Sequence, residues 1–275
     1  MTHYRSLIYT YPMDGDGFGY IAFGSDELYA RGALFSALRL LHYCPGARIT
    51  VLTDRPSIFD GYPIEAIELT AQRQTEMSFG NRYRFGIKAA GIIDLLQRCE
   101  RLFFMDADMY PTGDISRCFN RISALSSIMW RCEGRPKAPY RSLEGEGLSI
   151  GGRILIGDET MWASGVLGVH HHNIPALERA YAASEKVSEI VHLHTPEQFC
   201  TGVALSQDGR TISRHWLPIR NYSTRGKKLH ARRRIGAFFD LNGKLSVERQ
   251  VKQAASCRVW RAPLDLLLQR DIWHF

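Results

Sequence analysis

The chain has 275 residues, of which 45% are hydrophobic, and its formal net charge is +7 at neutral pH. This size and composition are sufficient to bury a full core as one large domain or two closely packed ones. No run of 18 apolar residues occurs, so no membrane-spanning helix is predicted. The positive charge favours an anionic ligand, acceptor or surface without choosing among them.

The cysteines and the first residues both favour a cytoplasmic protein. Six cysteines lie far apart without a Cys-x-x-Cys pair, which is typical of free thiols in a reducing compartment. The N-terminal apolar segment is short and is interrupted by Pro12 and Asp14, so we expect no signal peptide. Peripheral contact with the inner face of a membrane is compatible with this location.

The first part of the chain is predicted to form a strand and then a helix. Apolar runs at Ser6–Tyr11 and Tyr20–Phe23 are separated by a glycine-rich segment, residues 14–19, which predicts a turn. We expect the second run to be the first central strand. Ser25 is predicted to cap a helix that ends before Pro45.

The next elements repeat this alternation. Ile49–Thr53 predicts a strand that ends at Asp54, and Tyr62–Leu69 predicts a further extended segment. Asn81–Leu96 predicts a helix, and the apolar run Leu102–Met105 that follows predicts a buried strand. Strands that alternate with helices indicate an α/β fold with a mostly parallel central sheet flanked by helices.

The second half is less regular. Ser127–Trp130 predicts a strand, and residues 133–152 lack periodicity and predict either a functional lid or a disordered segment. Residues 161–169 predict a small-residue turn, at Ser164 and Gly165, that runs into a strand. Pro175–Val191 predicts a helix.

The remaining segments complete a single domain over residues 1–275. A helix is predicted to start at Thr195, and another is predicted over Ala262–Gln269. Between them, residues 220–234 form a basic run without an acidic residue, which predicts either an anion-binding segment or a solvated loop.

Two carboxylates follow the buried strand Leu102–Met105. Asp106 and Asp108 lie one residue apart at its carboxyl end, where open α/β sheets bind their ligands. Two aspartates on a turning backbone can face one Mg²⁺ or Mn²⁺ ion, which then bridges to the diphosphate of a substrate. The alternative is a strand that ends in a polar turn, since such aspartate pairs also arise by chance.

Three successive histidines, His170, His171 and His172, also suggest a metal. Successive side chains on a strand point to opposite faces, so three neighbours at a strand end are not expected to face one ion. We therefore interpret them as surface histidines.

Several motifs in one order resemble those of nucleotide-diphosphosugar transferases of the glycosyltransferase A fold, and most closely family 8 glycosyltransferases. The resemblance spans roughly residues 20 to 240, and each motif is short. The motifs are Tyr29, Val51–Asp54, Lys88, Phe104–Asp108, Ala163–Val166, Glu197–Gln198 and Leu217–Pro218 with Asn221. Ala163 stands where that family usually has Asn, and Glu197 stands where it usually has Asp.

The resemblance implies a metal-dependent glycosyltransferase, in which residues 1–110 form a nucleotide-binding half and residues 111–275 form an acceptor half with the C-terminal helix. In this fold residues 133–152 are expected to border the acceptor side and to be mobile without substrate. The donor is expected to be a nucleotide-sugar, usually a UDP-sugar, and the acceptor a hydroxyl of a carbohydrate, a lipid-linked molecule or a protein. Asp106 and Asp108 are expected to bind Mn²⁺ or Mg²⁺ with a late histidine as third ligand. The order of motifs selects His230, and His215 is the second choice.

The resemblance also assigns the remaining site residues. Glu197 and Gln198 are the candidate catalytic residues: a carboxylate can deprotonate an acceptor hydroxyl, whereas an amide can only position it. A plain first-turn acid remains the alternative for Glu197, and a solvated helix-face lysine the alternative for Lys88. The residues expected to bind the donor are Phe23, Asp54, Lys88, Asp106, Ala107, Ser164, Gly165, Lys227 and Lys228.

Three other function classes remain as alternatives. A sugar-phosphate nucleotidyltransferase shares the fold, but its Gly-x-Gly-Thr-Arg turn is missing after Phe23. A dinucleotide-dependent oxidoreductase needs a glycine-rich turn between a strand and a helix, whereas here the glycines lead into a strand. A non-catalytic anion-binding protein fits the charge, but no nucleic-acid-binding motif occurs, so no nucleic-acid partner is expected.

Overall fold

A seven-stranded sheet with helices on both faces dominates the computed structural model, which describes residues 15–260. The strands are β1 (Asp16–Ala22), β2 (Ile49–Thr53), β3 (Glu65–Glu68), β4 (Arg101–Asp106), β5 (Met109–Pro111), β6 (Ser126–Gly134), β7 (Ser149–Ile150), β8 (Arg153–Ile154), β9 (Met161–His170), β10 (Thr211–Ser213) and β11 (Ile219–Asn221). The α-helices are α1 (Leu28–Tyr43), α2 (Ala71–Met77), α3 (Gly86–Leu96), α4 (Ile174–Val191), α5 (Pro196–Ala204), α6 (Arg225–Asn242) and α7 (Val247–Ser256).

The sheet order is β10-β6-β9-β4-β1-β2-β3, with β9 antiparallel to both of its neighbours and the other pairs parallel. Two further pairs lie outside it, β5 with β11 and β7 with β8. The predicted α/β class is therefore confirmed. Because β1, β2 and β4 run parallel, their carboxyl ends lie at one edge of the sheet.

Strand β4 is buried on both faces, as its unbroken apolar sequence predicts. Phe103 and Met105 belong to the core on the side of α1, whereas Leu102 and Phe104 belong to the core on the side of α3. The polar residue Asp106 comes at the end of this strand and is partly exposed. The sequence of β4 thus places a carboxylate at the ligand edge of the sheet.

The predicted glycine-rich turn before the first strand is wrong in its second half. Gly17 and Gly19 lie inside β1, which begins at Asp16. Glycine is required there by close packing, because a Cβ on Gly19 would lie 2.9 Å from a methyl carbon of Leu102 and 3.0 Å from one of Leu95. Glycine in a strand marks such close approaches as well as turns.

Two helices begin later than predicted. Helix α1 starts at Leu28 rather than near Ser25, and the Asp26 carboxylate accepts a hydrogen bond from the Leu28 N–H at 3.0 Å. Helix α3 starts at Gly86 rather than at Asn81, whose φ of 67° lies in the left-handed region. That backbone conformation is incompatible with a right-handed helix.

The segment of residues 133–152 contains a packed element that its composition did not predict. A 3-10 turn, Ala138–Leu143, lies within it, and the side chains of Tyr140 and Leu143 are fully buried. The Tyr140 hydroxyl also pairs with the Thr195 hydroxyl at 2.8 Å. Motion of this segment on substrate binding stays a prediction.

Ser164 and Gly165 lie inside β9 rather than in a turn. The basic run continues from strand β11 into helix α6 instead of forming a loop. Ala231, Ile235 and Phe238 on α6 are buried at helical spacing, which explains how a strongly charged helix packs on the core.

Some predictions concern residues outside those described, namely the run Ser6–Tyr11 and the helix Ala262–Gln269. Helices α2 and α7 were not predicted from the sequence. Within residues 15–260, no helix is long and apolar enough to cross a membrane. All six cysteines are free thiols.

Arg39 of α1 is buried and ties β5 to the end of α7. Its guanidinium donates hydrogen bonds to the carbonyls of Pro111 at 2.8 Å and Ala254 at 2.7 Å. We expect Arg39→Met to lower the free energy of unfolding by about 3 kcal/mol, because several charge-assisted hydrogen bonds are lost at once. Urea unfolding measures this effect, and Arg31→Met on the exposed side of the same helix is the control, for which we expect less than about 0.5 kcal/mol. Equal midpoints for the two variants would contradict the expectation.

Candidate active site

The Asp106–Asp108 segment lies between β4 and β5 at the carboxyl edge of the sheet. Two contacts from Tyr222 hold its backbone: the hydroxyl donates to the Ala107 carbonyl at 2.9 Å, and the Tyr222 N–H donates to the Asp108 carbonyl at 3.0 Å. Helix α1 approaches closely at Gly32, where a Cβ would lie 2.7 Å from the Ala107 carbonyl oxygen. The backbone that carries both carboxylates is therefore held by α1 and by Tyr222, the residue after β11.

A polar cluster of Lys88, Asp106, Ser164 and Glu197 joins four elements of the fold. The Lys88 ammonium lies 2.9 Å from Asp106 Oδ1 and 3.5 Å from Glu197 Oε1, and it donates to the Ser164 hydroxyl at 3.0 Å. The Ser164 hydroxyl in turn donates to Glu197 Oε1 at 3.0 Å. The structure thus brings together four residues that the sequence assigned to the site from α3, β4, β9 and α5.

Burial and charge act in opposite directions within this cluster. Burial alone would lower the pKa of Lys88, but the negative charges of Asp106 and Glu197 outweigh it and hold the pKa above its usual value. Burial raises the pKa of Glu197, and the charge of Lys88 limits that rise. Lys88 is therefore a permanent cation at neutral pH, and Glu197 is its buried partner rather than a solvated first-turn acid.

The negative charge of Asp108 is disfavoured by its surroundings in the fold. Burial, together with the charge of Asp106, raises its pKa to about 6. The nearest cation is Lys228 on α6, whose ammonium lies 3.9 Å from Asp108 Oδ2. A small cavity beside this pair is lined by Asp26, Leu28, Tyr29, Ala107, Asp108, Tyr222 and Lys228. The negative charge here is only partly neutralised by the chain itself.

These carboxylates fit a hard divalent cation. Mg²⁺ and Mn²⁺ take oxygen ligands, and such ions are often held by one or two carboxylates plus substrate phosphates. Burial and the charge of Asp106 disfavour the negative charge of Asp108, and a further cation would offset both. Gly165 leaves room beside this edge, since a Cβ there would lie 3.3 Å from Asp106 Oδ2.

The histidine expected as third ligand is not grouped with the aspartates. His230 lies on α6 with only 6% of its surface exposed. Among residues 15–260, Asp106, Asp108 and His230 do not form a group with closely spaced ligand atoms. His215 contacts Arg121 at 3.2 Å and Ser213 at 2.9 Å on the loop between β10 and β11. The choice of His230 rested on motif order, which does not specify how far a helical side chain reaches.

Asp54 and Phe23 lie at the same edge and shape the loop before α1. The Asp54 carboxylate accepts a hydrogen bond from the Gly24 N–H at 2.8 Å, and so links the ends of β1 and β2. The Arg84 guanidinium lies 5.1 Å from the centre of the Phe23 ring, within range of a cation–π contact. Both predicted residues therefore border the edge where the aspartates lie.

The last two predicted residues, Gln198 and Lys227, lie at the margins of the candidate site. Gln198 donates a hydrogen bond to the Glu133 carboxylate at 2.8 Å, at the start of the 133–152 segment. Lys227 is exposed on α6. The two adjacent lysines of the basic run thus differ, because only Lys228 is close to Asp108.

Sequence reasoning missed two tyrosines that support the site, Tyr83 and Tyr222, and assigned no role to a third, Tyr29. Tyr83 accepts a hydrogen bond from the Glu197 N–H at 3.0 Å, which fixes the start of α5. Tyr222 holds the aspartate segment, and Tyr29 contributes its ring to the cavity. The only sequence signal was the place of Tyr29 near the start of α1, since the other two contacts join distant parts of the chain.

The fold is shared with a known glycosyltransferase. The galactosyltransferase LgtC, solved with donor and acceptor sugar analogs, is 13% identical with a TM-score of 0.53, over 90% of this chain and 98% of that one. Mouse xyloside xylosyltransferase 1, in its apo form, is 12% identical with a TM-score of 0.46, over 74% of this chain and 85% of that one. No protein-family model and no curated protein matches the chain. The first likeness confirms the predicted glycosyltransferase A fold.

Proposed function

We propose that this chain, which has the glycosyltransferase A fold, transfers a sugar from a nucleotide-diphosphosugar to a hydroxyl acceptor with the help of Mn²⁺ or Mg²⁺. The observation that carries the proposal is the pair of carboxylates, Asp106 and Asp108, at the ligand edge of the sheet with Lys88 and Lys228 beside them. This edge combines a metal-binding chemistry with a phosphate-binding one. A UDP-sugar is the donor that we favour.

Donor binding is assigned to the cavity between α1 and α6. Lys228 lies 5.9 Å from the centre of the Tyr29 ring and 3.9 Å from Asp108. A diphosphate there would receive a charge-assisted hydrogen bond from Lys228. The Tyr29 ring offers an aromatic face, which suits the stacking of a nucleobase. The cavity itself is only about 20 Å³, so the nucleotide would extend from it along the edge of the sheet.

Bond cleavage places new negative charge on the leaving diphosphate. A divalent cation held by Asp106 and Asp108 would neutralise part of that charge as a Lewis acid. Lys88 contributes a second fixed positive charge next to Asp106, and its position is set before substrate arrives. Charge stabilisation of this kind requires a cation that does not move. Ser164 and Glu197 hold the Lys88 ammonium in place.

We assign Glu197 a positioning role and not that of a base. Its carboxylate is 4% exposed and is engaged by Ser164 and Lys88, so it has little access to an acceptor hydroxyl. Gln198 is more accessible and contacts Glu133 at the start of the 133–152 segment. An amide there can position an acceptor or the donor sugar, whether the acceptor is a carbohydrate, a lipid-linked molecule or a protein.

Calorimetric titration with UDP, with and without Mn²⁺, tests the proposal. We expect Mn²⁺ to strengthen UDP binding in the wild-type protein at least tenfold, because the ion bridges the aspartates and the diphosphate. Equal affinities with and without the ion would overturn the proposal. A nucleotidyltransferase would instead bind UTP with a sugar 1-phosphate and form pyrophosphate, which a phosphate-release assay with pyrophosphatase detects.

The two adjacent lysines of α6 provide a matched pair. We expect Lys228→Ala to weaken UDP binding by roughly tenfold to a hundredfold, since one charge-assisted phosphate contact contributes about 1 to 3 kcal/mol. Lys227→Ala removes the same charge from the same turn and is expected to leave the affinity unchanged. Because both variants change the net charge equally, a similar loss in each would indicate only a general electrostatic effect. That result would remove Lys228 from the donor site.

A further inference from the structure

The three successive histidines come together where β9 ends. His170 is the last residue of β9, and the 3-10 turn His171–Asn173 follows immediately. Their ring centres lie 4.6 Å apart for the first and second, 4.8 Å for the first and third, and 4.2 Å for the second and third. The expectation that the three side chains diverge is wrong, because the alternation of a strand stops at His170 and the turn swings the next two rings to the same side.

We propose that His170, His171 and His172 form a binding site for a divalent transition-metal ion of the Zn²⁺ type. One nitrogen from each ring lies within 4.8 Å of the others, and no other group of this kind occurs among residues 15–260. Three nitrogens bound to Zn²⁺ at about 2.0–2.1 Å in a tetrahedron are separated by about 3.4 Å, so modest ring rotations close the site. Imidazole ligands select Zn²⁺, Ni²⁺ or Cu²⁺ over Mg²⁺ or Ca²⁺.

The surroundings of His170 match those of a metal-bound histidine. Its Nε2 lies 3.5 Å from Glu100 Oε1, and its Nδ1 accepts a hydrogen bond from the His172 N–H at 3.2 Å. With Nδ1 bound to the ion, the Nε2–H donates to Glu100, which is the carboxylate–histidine–metal arrangement of many zinc sites. The displaced His172 N–H lies beside an exposed side chain, where water can accept its hydrogen bond.

The other histidines supply nitrogens that are available to an ion. His171 Nδ1 is buried and has no hydrogen-bond partner in the described part of the chain, so an ion would satisfy it. The exposed His172 and a water molecule would complete the coordination.

This site is separate from the proposed active site. In the β4–β9 pairing, His170 lies opposite Arg101 at the start of β4, whereas Asp106 lies at the other end. Five residue steps along a strand amount to about 16 Å. An ion here would link β9, the start of α4 and the Glu100 loop, so its role is structural and independent of sugar transfer.

Zinc titration of the protein, prepared without an affinity tag and with the Asp108→Asn change, tests the proposal by calorimetry and thermal melting. The Asp108→Asn change removes the competing aspartate pair. We expect one equivalent of Zn²⁺ to bind and to raise the melting temperature. His171→Ala should weaken binding more than tenfold, and Glu100→Gln should weaken it by roughly tenfold to a hundredfold. His42→Ala, an exposed histidine of α1, is the control and should bind as the parent does.

Two outcomes would overturn the proposal. One is less than stoichiometric binding by the parent protein, and the other is unchanged Zn²⁺ affinity in both His171→Ala and His172→Ala. The second substitution is included because His172 is exposed, so its loss cannot be attributed to misfolding. Neither outcome bears on UDP binding, so the metal-site proposal and the proposed function are tested independently.

Discussion

Asp108→Asn is expected to make the metal-free protein more stable while it abolishes Mn²⁺-dependent UDP binding. In the folded state, burial and the charge of Asp106 raise the pKa of Asp108 to about 6, above its unfolded value. The ionised carboxylate therefore costs stability at neutral pH, and Asn removes that cost. At about pH 8 we expect the free energy of unfolding to rise by about 1 to 3 kcal/mol.

The raised pKa of Asp108 also determines how the stability difference between the two proteins depends on pH. An acid with a raised folded-state pKa contributes stability that is fully present below its unfolded pKa and is lost as the pH rises through its folded pKa. The advantage of the Asn variant should therefore be largest above about pH 6, and it should shrink as the pH falls toward 4. Urea unfolding of both proteins across this range measures it.

Asp114→Asn is the matched control with the opposite sign. The Asp114 carboxylate accepts a hydrogen bond from the Ser116 N–H at 2.8 Å, and this contact lowers its pKa. Its replacement should lower stability at neutral pH and leave Mn²⁺-dependent UDP binding intact. A less stable Asp108→Asn protein at about pH 8 would show that this carboxylate holds the fold together rather than being held for a ligand.

Asp108→Asn is also expected to have a large effect on sugar transfer. Sugar transfer should fall by roughly a hundredfold to a thousandfold, the usual loss when one group that stabilises developing charge is removed. UDP affinity should become independent of Mn²⁺. Gain of stability with loss of activity in one variant is the behaviour of a binding group held under strain. If Asp108→Asn stabilised the fold but retained sugar transfer, the carboxylate would destabilise the protein without being needed for its activity.

Lys88→Met is expected to destabilise the protein by about 3 to 5 kcal/mol. The substitution leaves Glu197 as a buried carboxylate without its cation, and breaking a buried pair from one side costs about this much. Among residues 15–260, the Ser164 hydroxyl is then the remaining side-chain partner of that carboxylate. Denaturant unfolding at neutral pH measures the loss.

A double variant separates the unpaired charge from the lost packing. In Lys88→Met/Glu197→Gln the buried charge is gone, so we expect more than half of the lost stability to return. Lys227→Met, on an exposed lysine, is the control and should unfold as the wild type does. Sugar transfer should stay lost in the double variant, because no fixed cation remains beside Asp106. If the double variant were as unstable as the single one, packing rather than charge would explain the effect.

The sequence alone was sufficient for the parts of this protein that depend on local patterns. Strand β2 has the predicted bounds, and β4 extends its predicted run by one residue at each end. The Asp106–Asp108 pair lies at the carboxyl end of β4 as expected, since apolar runs and the residues that end them are encoded next to each other. The order of such elements also determined the α/β class with its mostly parallel sheet.

Only the tertiary structure decided which of the predicted residues meet. Lys88 and Glu197 lie on different helices, and their contact depends on the antiparallel insertion of β9 beside β4. The basic run became a helix because its few apolar residues pack on the core. His230 and the three successive histidines show the same limit, because side-chain direction depends on where a strand or helix begins and ends. Contacts between distant elements follow from sheet order and close packing, which no local pattern encodes.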